Sequence, residues 1–222
     1  MLKFFANKAR MKVGLPQQLD MKLVNSFPTI FFLPCMTYKE MKLLERSSKP
    51  SKSVVEFGAG GSTIHFLKEN KKVVSVENNK PYIDYLITID LIRKKIDEKQ
   101  LSLNYVNTGE VRKWGKPIDE LNKNEWPQYY TQVWEKLKIE APDLLLIDGR
   151  FRVMCALCAI PYIKEDTCVL FHDFTKPKKY NSILEFFDII DCADSLYVLK
   201  IKDTIDKECL ESMKKEFQFD YR

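Results

Sequence analysis

Two short segments concentrate groups that can move protons or hold charge. Asp143-Leu-Leu-Leu-Ile-Asp148-Gly-Arg150-Phe-Arg152 sets a carboxylate and two guanidiniums beyond an apolar run, and Leu170-Phe171-His172-Asp173-Phe174 sets an imidazole and a carboxylate beyond another. An imidazole with an ordinary pKa near ~6.5 takes a proton at neutral pH, which makes His172 the candidate general base. Asp173 or Asp148 would orient it; the competing reading of His172 is a core or helix-capping histidine. Arg150 reads either as a binder of an anionic or polyhydroxyl acceptor or as an ion-pair partner of Asp148. Arg152 and His65, each inside a helical stretch, read as structural.

A third segment is built to approach a ligand. Val54-Val55-Glu56-Phe57-Gly58-Ala59-Gly60-Gly61-Ser62-Thr63 leaves a buried run, turns on glycines and enters a helical stretch. Glycine at 58 and 60 lets the backbone come close where a Cβ would collide, which puts N–H groups beside a nucleotide-like ligand. Thr63 stands where the dinucleotide fingerprint G-x-G-x-x-G needs its third glycine, which argues against a pyrophosphate. Glu77, at the end of the next β-branched run and about twenty residues past the first glycines, can accept both hydroxyl hydrogens of a ribose.

These groups need a scaffold that brings strand ends to one edge. The pattern predicts strands at 54–57, 73–77, 101–106, 143–147 and 167–171, alternating with helices at 62–69, 81–95, 129–138 and 151–163. A helix at 37–46 with Thr37 as its cap precedes them. After a helix at 181–186, the runs 187–192 and 196–202 are separated by three residues, a link that permits an antiparallel hairpin and no parallel crossover. A helix over 206–217 closes the chain. The expected fold is α/β: a Rossmann-like, mostly parallel seven-stranded sheet with an antiparallel last strand and helices on both faces. Residues 1–36, broken by Pro16, Pro28 and Pro34, read as an N-terminal arm packed on the core, and 37–222 as one catalytic domain.

Over roughly residues 50–202 the sequence resembles the class I S-adenosylmethionine-dependent methyltransferases. Glu56-Phe-Gly-Ala-Gly60 is similar to their E/D-x-G-x-G first motif, and the terminal hairpin to their reversed last strand. A subgroup of bacterial, viral and plant methyltransferase-like proteins shares elements like Asn107-Thr108-Gly109-Glu110, Trp114-Gly115-Lys116-Pro117, Ile147-Asp148-Gly149-Arg150-Phe151-Arg152-Val153 and the strand-end His172-Asp173. The resemblance implies a methyltransferase domain whose S-adenosylmethionine lies against Glu56, Gly58, Ala59, Gly60, Ser62, Thr63, Glu77, Asn78, Thr108, Gly109 and Asp148. Glu56 would lie near the methionine amino group and Glu77 on the ribose. Trp114 reads as an aromatic that packs its loop onto the domain, or as one that stacks on an adenine or sugar face.

The implied reaction is O-methylation of a hydroxyl on a small molecule or a sugar or glycan, with His172, Asp148, Asp173 and Arg150 as catalytic residues. Asp148 and Asp173 also stand where catechol-type and macrocin-type O-methyltransferases hold a divalent cation. Mg²⁺ or Mn²⁺ there is one reading, and neutralisation of Asp148 by Arg150 is the other. A protein that kept the fold and the cofactor but lost catalysis, serving as a scaffold, is the alternative function. A nicotinamide dehydrogenase is disfavoured by Thr63 and the reversed final strand.

Composition narrows the partners. With 36 basic against 31 acidic residues the excess of +5 is too small for a nucleic-acid footprint. No Asn/Asp-Pro-Pro-Tyr-like segment ends the fourth strand, which disfavours nucleic-acid amino methylation. The six cysteines form no metal-ligand spacing; Cys155 and Cys158 fall inside an apolar helix and imply free thiols in a reducing compartment. No apolar run near the start is long enough to cross a bilayer, so a cytoplasmic protein without membrane contact is expected. The basic run Lys176–Lys179 reads as a solvated turn beside the site.

Overall fold

The computed structural model describes residue 26 and residues 32–135, 141–174 and 178–222. All of the arm over 1–36 except Ser26 and residues 32–36 therefore lies outside the described residues. Helix α1 (Tyr38–Ser48) opens on a reciprocal cap: Thr37 Oγ1 accepts from the Glu40 amide at 3.2 Å, and the Thr37 amide donates to Glu40 Oε2 at 2.6 Å. Its last turn is closed by Lys71, which is 4% exposed and donates from Nζ to the carbonyls of Ser48 and Ser51 at 2.7 and 2.8 Å.

From there strands and helices alternate as the β-branched and helical runs require: β1 (Ser53–Phe57), α2 (Gly61–Lys68), β2 (Lys72–Glu77), α3 (Lys80–Ile87), α4 (Asp90–Asp97) and β3 (Leu101–Tyr105). A small hairpin follows, β4 (Val111–Arg112) with β5 (Lys116–Pro117), and then α5 (Gln128–Glu135), β6 (Leu144–Ile147), α6 (Arg152–Ala159) and β7 (Cys168–Phe171). The chain ends with β8 (Phe187–Ala193), β9 (Leu196–Ile201) and α7 (Lys207–Phe217).

Seven strands form one sheet in the order β3-β2-β1-β6-β7-β9-β8. The first five are mutually parallel, and β9 runs antiparallel to both β7 and β8. The turn through Asp194 and Ser195 is too short for any other connection. The four residues of β6 are all buried, as a strand covered on both faces must be. One core, with Trp126, Tyr129, Phe151, Leu157 and Phe217, lies under α5, α6 and α7; the other, with Leu43, Leu44, Ile64, Phe66 and Leu86, lies under α1 to α4. The predicted α/β sheet, its reversed strand and its two helical layers are present.

Local differences have local causes. The helix expected over 81–95 is two helices, because Ile89 turns extended (φ −80°, ψ 122°) to bury its side chain completely, and Thr88 Oγ1 donates back to the Tyr85 carbonyl at 2.6 Å. The helix expected over 181–186 is a tighter 3₁₀ segment, Lys178–Glu185, and α6 gives way at Pro161 to a 3₁₀ turn, Ile160–Tyr162. Residues 136–140, part of the helix expected over 129–138, lie outside the described residues. Among the described residues no helix is long and apolar enough to cross a membrane, and no disulfide joins the cysteines.

Candidate active site

Because β1, β2, β6 and β7 are parallel, their carboxyl ends meet at one edge, and the glycine loop is fastened into that edge. The Gly58 amide donates to the Val76 carbonyl at 2.8 Å and the Asp148 amide to the Phe57 carbonyl at 3.0 Å. Gly58 has φ +99°, and a Cβ there would stand 2.9 Å from the Gly149 Cα. Gly61 is glycine for another reason: the Leu33–Pro34 backbone crosses directly over it. Gly60 alone faces side-chain space, where a Cβ would approach only the Tyr82 hydroxyl, at 3.3 Å.

The two acids on the strands beside the loop differ in what they face. Glu56 is fully buried, and Ser62 Oγ donates to its Oε2 at 2.8 Å while Thr63 Oγ1 donates to its Oε1. Thr63 Oγ1 accepts in turn from the Gly60 amide at 2.8 Å. Glu56, Ser62 and Thr63 thus shape the first turn of α2 by bonding one another, and burial pushes the Glu56 carboxyl up to about 7. Glu77, 8% exposed, accepts at Oε1 from the amides of Asn78 and Asn79, both at 2.8 Å. Burial raises it to about 7 against those bonds and the charge of Arg150.

Asn78 and Thr108 are spent on each other. Asn78 Nδ2 donates to Thr108 Oγ1 at 2.7 Å and to the Gly115 carbonyl at 2.9 Å, which pins the β4–β5 hairpin to the end of β2. Gly109 borders a cleft of about 550 Å³ with Asn79, Pro81, Tyr105 and Ile118. Trp114 does not pack its loop onto the domain: it is 54% exposed with φ +67°, and Lys113 Nζ sits 5.3 Å from its ring centroid. The packing role belongs to Trp126, fully buried, whose Nε1 donates to the Thr108 carbonyl at 2.9 Å.

At the ends of β6 and β7 the predicted residues do converge. His172 Nδ1 lies 2.8 Å from Asp148 Oδ1, and His172 Nε2 lies 3.6 Å from Glu40 Oε1. Glu40, on α1, also accepts from the Ser195 amide at 2.9 Å and from Ser195 Oγ at 2.6 Å. Burial opposes a charge on His172, but Asp148, Asp173 and Glu40 outweigh it and raise the imidazole to about 9. His172 is therefore a cation at neutral pH, contrary to the ordinary imidazole assumed from sequence. Asp148 is held below the usual carboxylate range: burial works against this, and His172, Arg152 and Arg150 overcome it.

The ion pair with Asp148, one of the two readings of Arg150, is made by Arg152, which the sequence reads as structural. Arg152 Nη2 lies 3.4 Å from Asp148 Oδ1 and Nη1 lies 3.0 Å from Asp173 Oδ2. Arg150 forms no ion pair among the described residues, and its buried Nε has no hydrogen-bond partner there. Burial and the Arg152 charge depress its guanidinium, opposed by Tyr129, Tyr180 and Asp148. The side chains divide this way because Phe151 begins α6 in the left-handed region at φ +51°, its ring fully buried against Trp126, Tyr129 and Tyr130. Left-handed backbone at a bulky residue is strain of the kind that functional edges hold.

Asp148, His172 and Asp173 each place one donor atom within 4.8 Å of the others. They do not fit Mg²⁺ or Mn²⁺ as they stand, because a guanidinium already bridges the two carboxylates and the imidazole turns a proton toward Asp148. Residues 32–36 border the same edge. Phe32 packs on Tyr85 with ring centroids 5.7 Å apart, and the thiol of Cys35, a residue that is itself exposed, is pushed up by its partial desolvation and by the charges of Asp148, Asp173 and Glu40. His65 is half-buried in α2 with Nε2 3.4 Å from Glu69, away from this edge. The side chains of Lys176–Lys179 lie outside the described residues.

Sequence reasoning missed Glu40 and the clamp by Arg152, although Thr37-x-x-Glu40 is itself a legible capping box. Replacing Glu40 by Gln is expected to cost roughly 1–3 kcal/mol, since a buried acceptor of several hydrogen bonds is weakened and His172 loses a neighbouring charge. Equilibrium denaturation reads this directly, and an unchanged midpoint and slope would count against the packing described.

No family model and no curated protein matches this sequence. The fold does match solved structures. A methyltransferase-like protein from Silicibacter pomeroyi superposes with a TM-score of 0.69 at 22% identity, over 84% of this chain and 96% of that one. The fold is that of the class I methyltransferases. An O-methyltransferase from Bacillus cereus, solved in complex with SAH, matches with a TM-score of 0.51 at 13% identity, over 89% of this chain and 97% of the other.

Proposed function

We propose that the chain is an S-adenosylmethionine-dependent O-methyltransferase that acts on a hydroxyl of a small molecule or sugar. The observation that carries this is the shared strand edge. Glu77 and Gly60 stand at the ends of β2 and β1, and the Asp148–His172 pair at the ends of β6 and β7. Glu77 suits a ribose because the Asn78 and Asn79 amides fix one of its oxygens, the Ala59 amide also favours its charge, and a buried carboxylate gains from further hydroxyl donors. S-adenosylmethionine, when bound, supplies an electrophilic methyl group on sulfur.

The residues of the chain do the rest. In-line transfer breaks the C–S bond as the C–O bond forms, and the hydroxyl proton must leave. Asp148 Oδ1 already accepts from His172 and Arg152, so its second oxygen, on a side chain 25% exposed, is the atom that meets the acceptor. His172, side chain 8% exposed between Asp148 and Glu40, holds in its neutral form the place for the proton that the pair takes up. His172 is therefore a partner behind Asp148, and Arg150, depressed and without an ion pair among the described residues, is the cation left to bind an acceptor oxygen.

Calorimetric titration tests the reading. S-adenosylhomocysteine is expected to bind and NAD not to. Glu77→Ala should weaken S-adenosylhomocysteine by roughly 10- to 100-fold, the worth of one or two charge-assisted hydrogen bonds. Because burial holds the Glu77 carboxyl near about 7, affinity should also fall as pH drops below that value. Binding of NAD in preference, or an unaffected Glu77→Ala variant, would remove the proposal.

A further inference from the structure

Arg152 is the most fully engaged side chain at the strand edge. A guanidinium carries five N–H donors in a fixed plane, and here all five are used. Nε donates to the Gly149 carbonyl at 2.9 Å, Nη1 to the His172 carbonyl at 2.7 Å and Asp173 Oδ2 at 3.0 Å, and Nη2 to the Asp148 carbonyl at 3.3 Å and Asp148 Oδ1 at 3.4 Å. The Tyr180 ring covers one face, its centroid 6.0 Å from Cζ, and the residue is 4% exposed.

Three backbone carbonyls and two carboxylates are the hard oxygen donors that a divalent cation takes. In this edge they enclose a guanidinium instead. We propose that Arg152 is the resident cation of the site, taking the place between Asp148 and Asp173 that a divalent metal would need and leaving the second oxygen of Asp148 for the acceptor. The role of Asp148 depends on the methyl-transfer reading, whereas the exclusion of metal depends on the guanidinium alone. A metal ion entering here would shed water, displace five hydrogen bonds and find the nearest His172 nitrogen already bonded to Asp148.

The test is Mn²⁺ binding followed by electron paramagnetic resonance, on the full chain with and without S-adenosylhomocysteine. Wild-type protein is expected to show no site tighter than roughly 1 mM, the weak end of oxygen-ligand sites. Arg152→Met, which keeps the bulk and removes the charge, should bind Mn²⁺ at least about tenfold tighter, and Asp173→Asn in that background should abolish the gain. Circular dichroism checks that the variant is folded; where Met does not fold, Arg152→Gln is titrated in its place. A wild-type site tighter than roughly 1 mM that Asp173→Asn removes overturns the proposal. So does a folded Arg152 variant that binds no better than wild type. Calorimetry with S-adenosylhomocysteine on the wild-type protein reads the cofactor proposal separately, so the two can fail independently.

Discussion

Methyl transfer by the wild-type chain is expected to rise with pH and level off only above about 9, and Asp148→Asn is expected to lower the plateau by roughly 10²- to 10⁴-fold. The pair can take the hydroxyl proton only when His172 is neutral, so below about 9 the reactive fraction falls about tenfold per pH unit. Removing the Asp148 charge deletes both the oxygen proposed to meet the acceptor and the main anion that raises His172. The imidazole should then return toward 6.5, which nuclear magnetic resonance can follow, since His65 is the only other histidine in the sequence. The same shift makes a stability statement. The folded pKa of His172 lies above the unfolded value, so its contribution, roughly 3 kcal/mol, is complete below 6.5 and disappears as pH rises through about 9. Wild-type protein should therefore lose stability across that window and Asp148→Asn should lose much less. A pH-independent rate between 6 and 10, with turnover retained in Asp148→Asn, would show that the pair takes no proton.

The fold was largely legible because its signals are local. β-branched runs of four to six residues, helical spacing between them and a three-residue link before the final strand leave little freedom in the topology. The broken helix at Ile89 was not legible, since nothing in Tyr85–Arg93 marks which apolar residue must face the core. Residue types and strand ends were enough to bring Asp148, His172, Asp173 and Glu77 to one sheet edge, but sequence carries no information on which of two arginines a left-handed Phe151 turns toward the acids. Glu40 was hidden differently, by distance along the chain: it reaches His172 only because α1 packs against β7 and β9. The protonation state of His172 follows from three acids gathered from three elements, which no one-dimensional reading assembles.

Gly58, Gly149 and Gly60 should separate into two classes when each is replaced by alanine. Gly58 has φ +99° and its added Cβ would stand 2.9 Å from the Gly149 backbone, so strain and collision both fall on main chain that cannot move aside. Gly149→Ala meets the same contact from the other side, with the Gly58 amide 2.9 Å away, and would also press on the Tyr129 hydroxyl. Both variants should lose roughly 2–4 kcal/mol, because the junction of β1 and β6 has to open. Gly60→Ala meets only the Tyr82 hydroxyl at 3.3 Å, the far end of a side chain that can turn slightly, so its stability should stay within about 1 kcal/mol of wild type. With the cofactor lying against this loop as proposed, the added methyl group would crowd it, and affinity for S-adenosylhomocysteine should fall by about tenfold or more. Chemical denaturation and calorimetry on the three variants measure the two effects independently. Equal loss of stability at Gly60 and Gly58 would mean that the loop is glycine-rich for packing alone, and unchanged affinity in a folded Gly60→Ala would move the cofactor away from it.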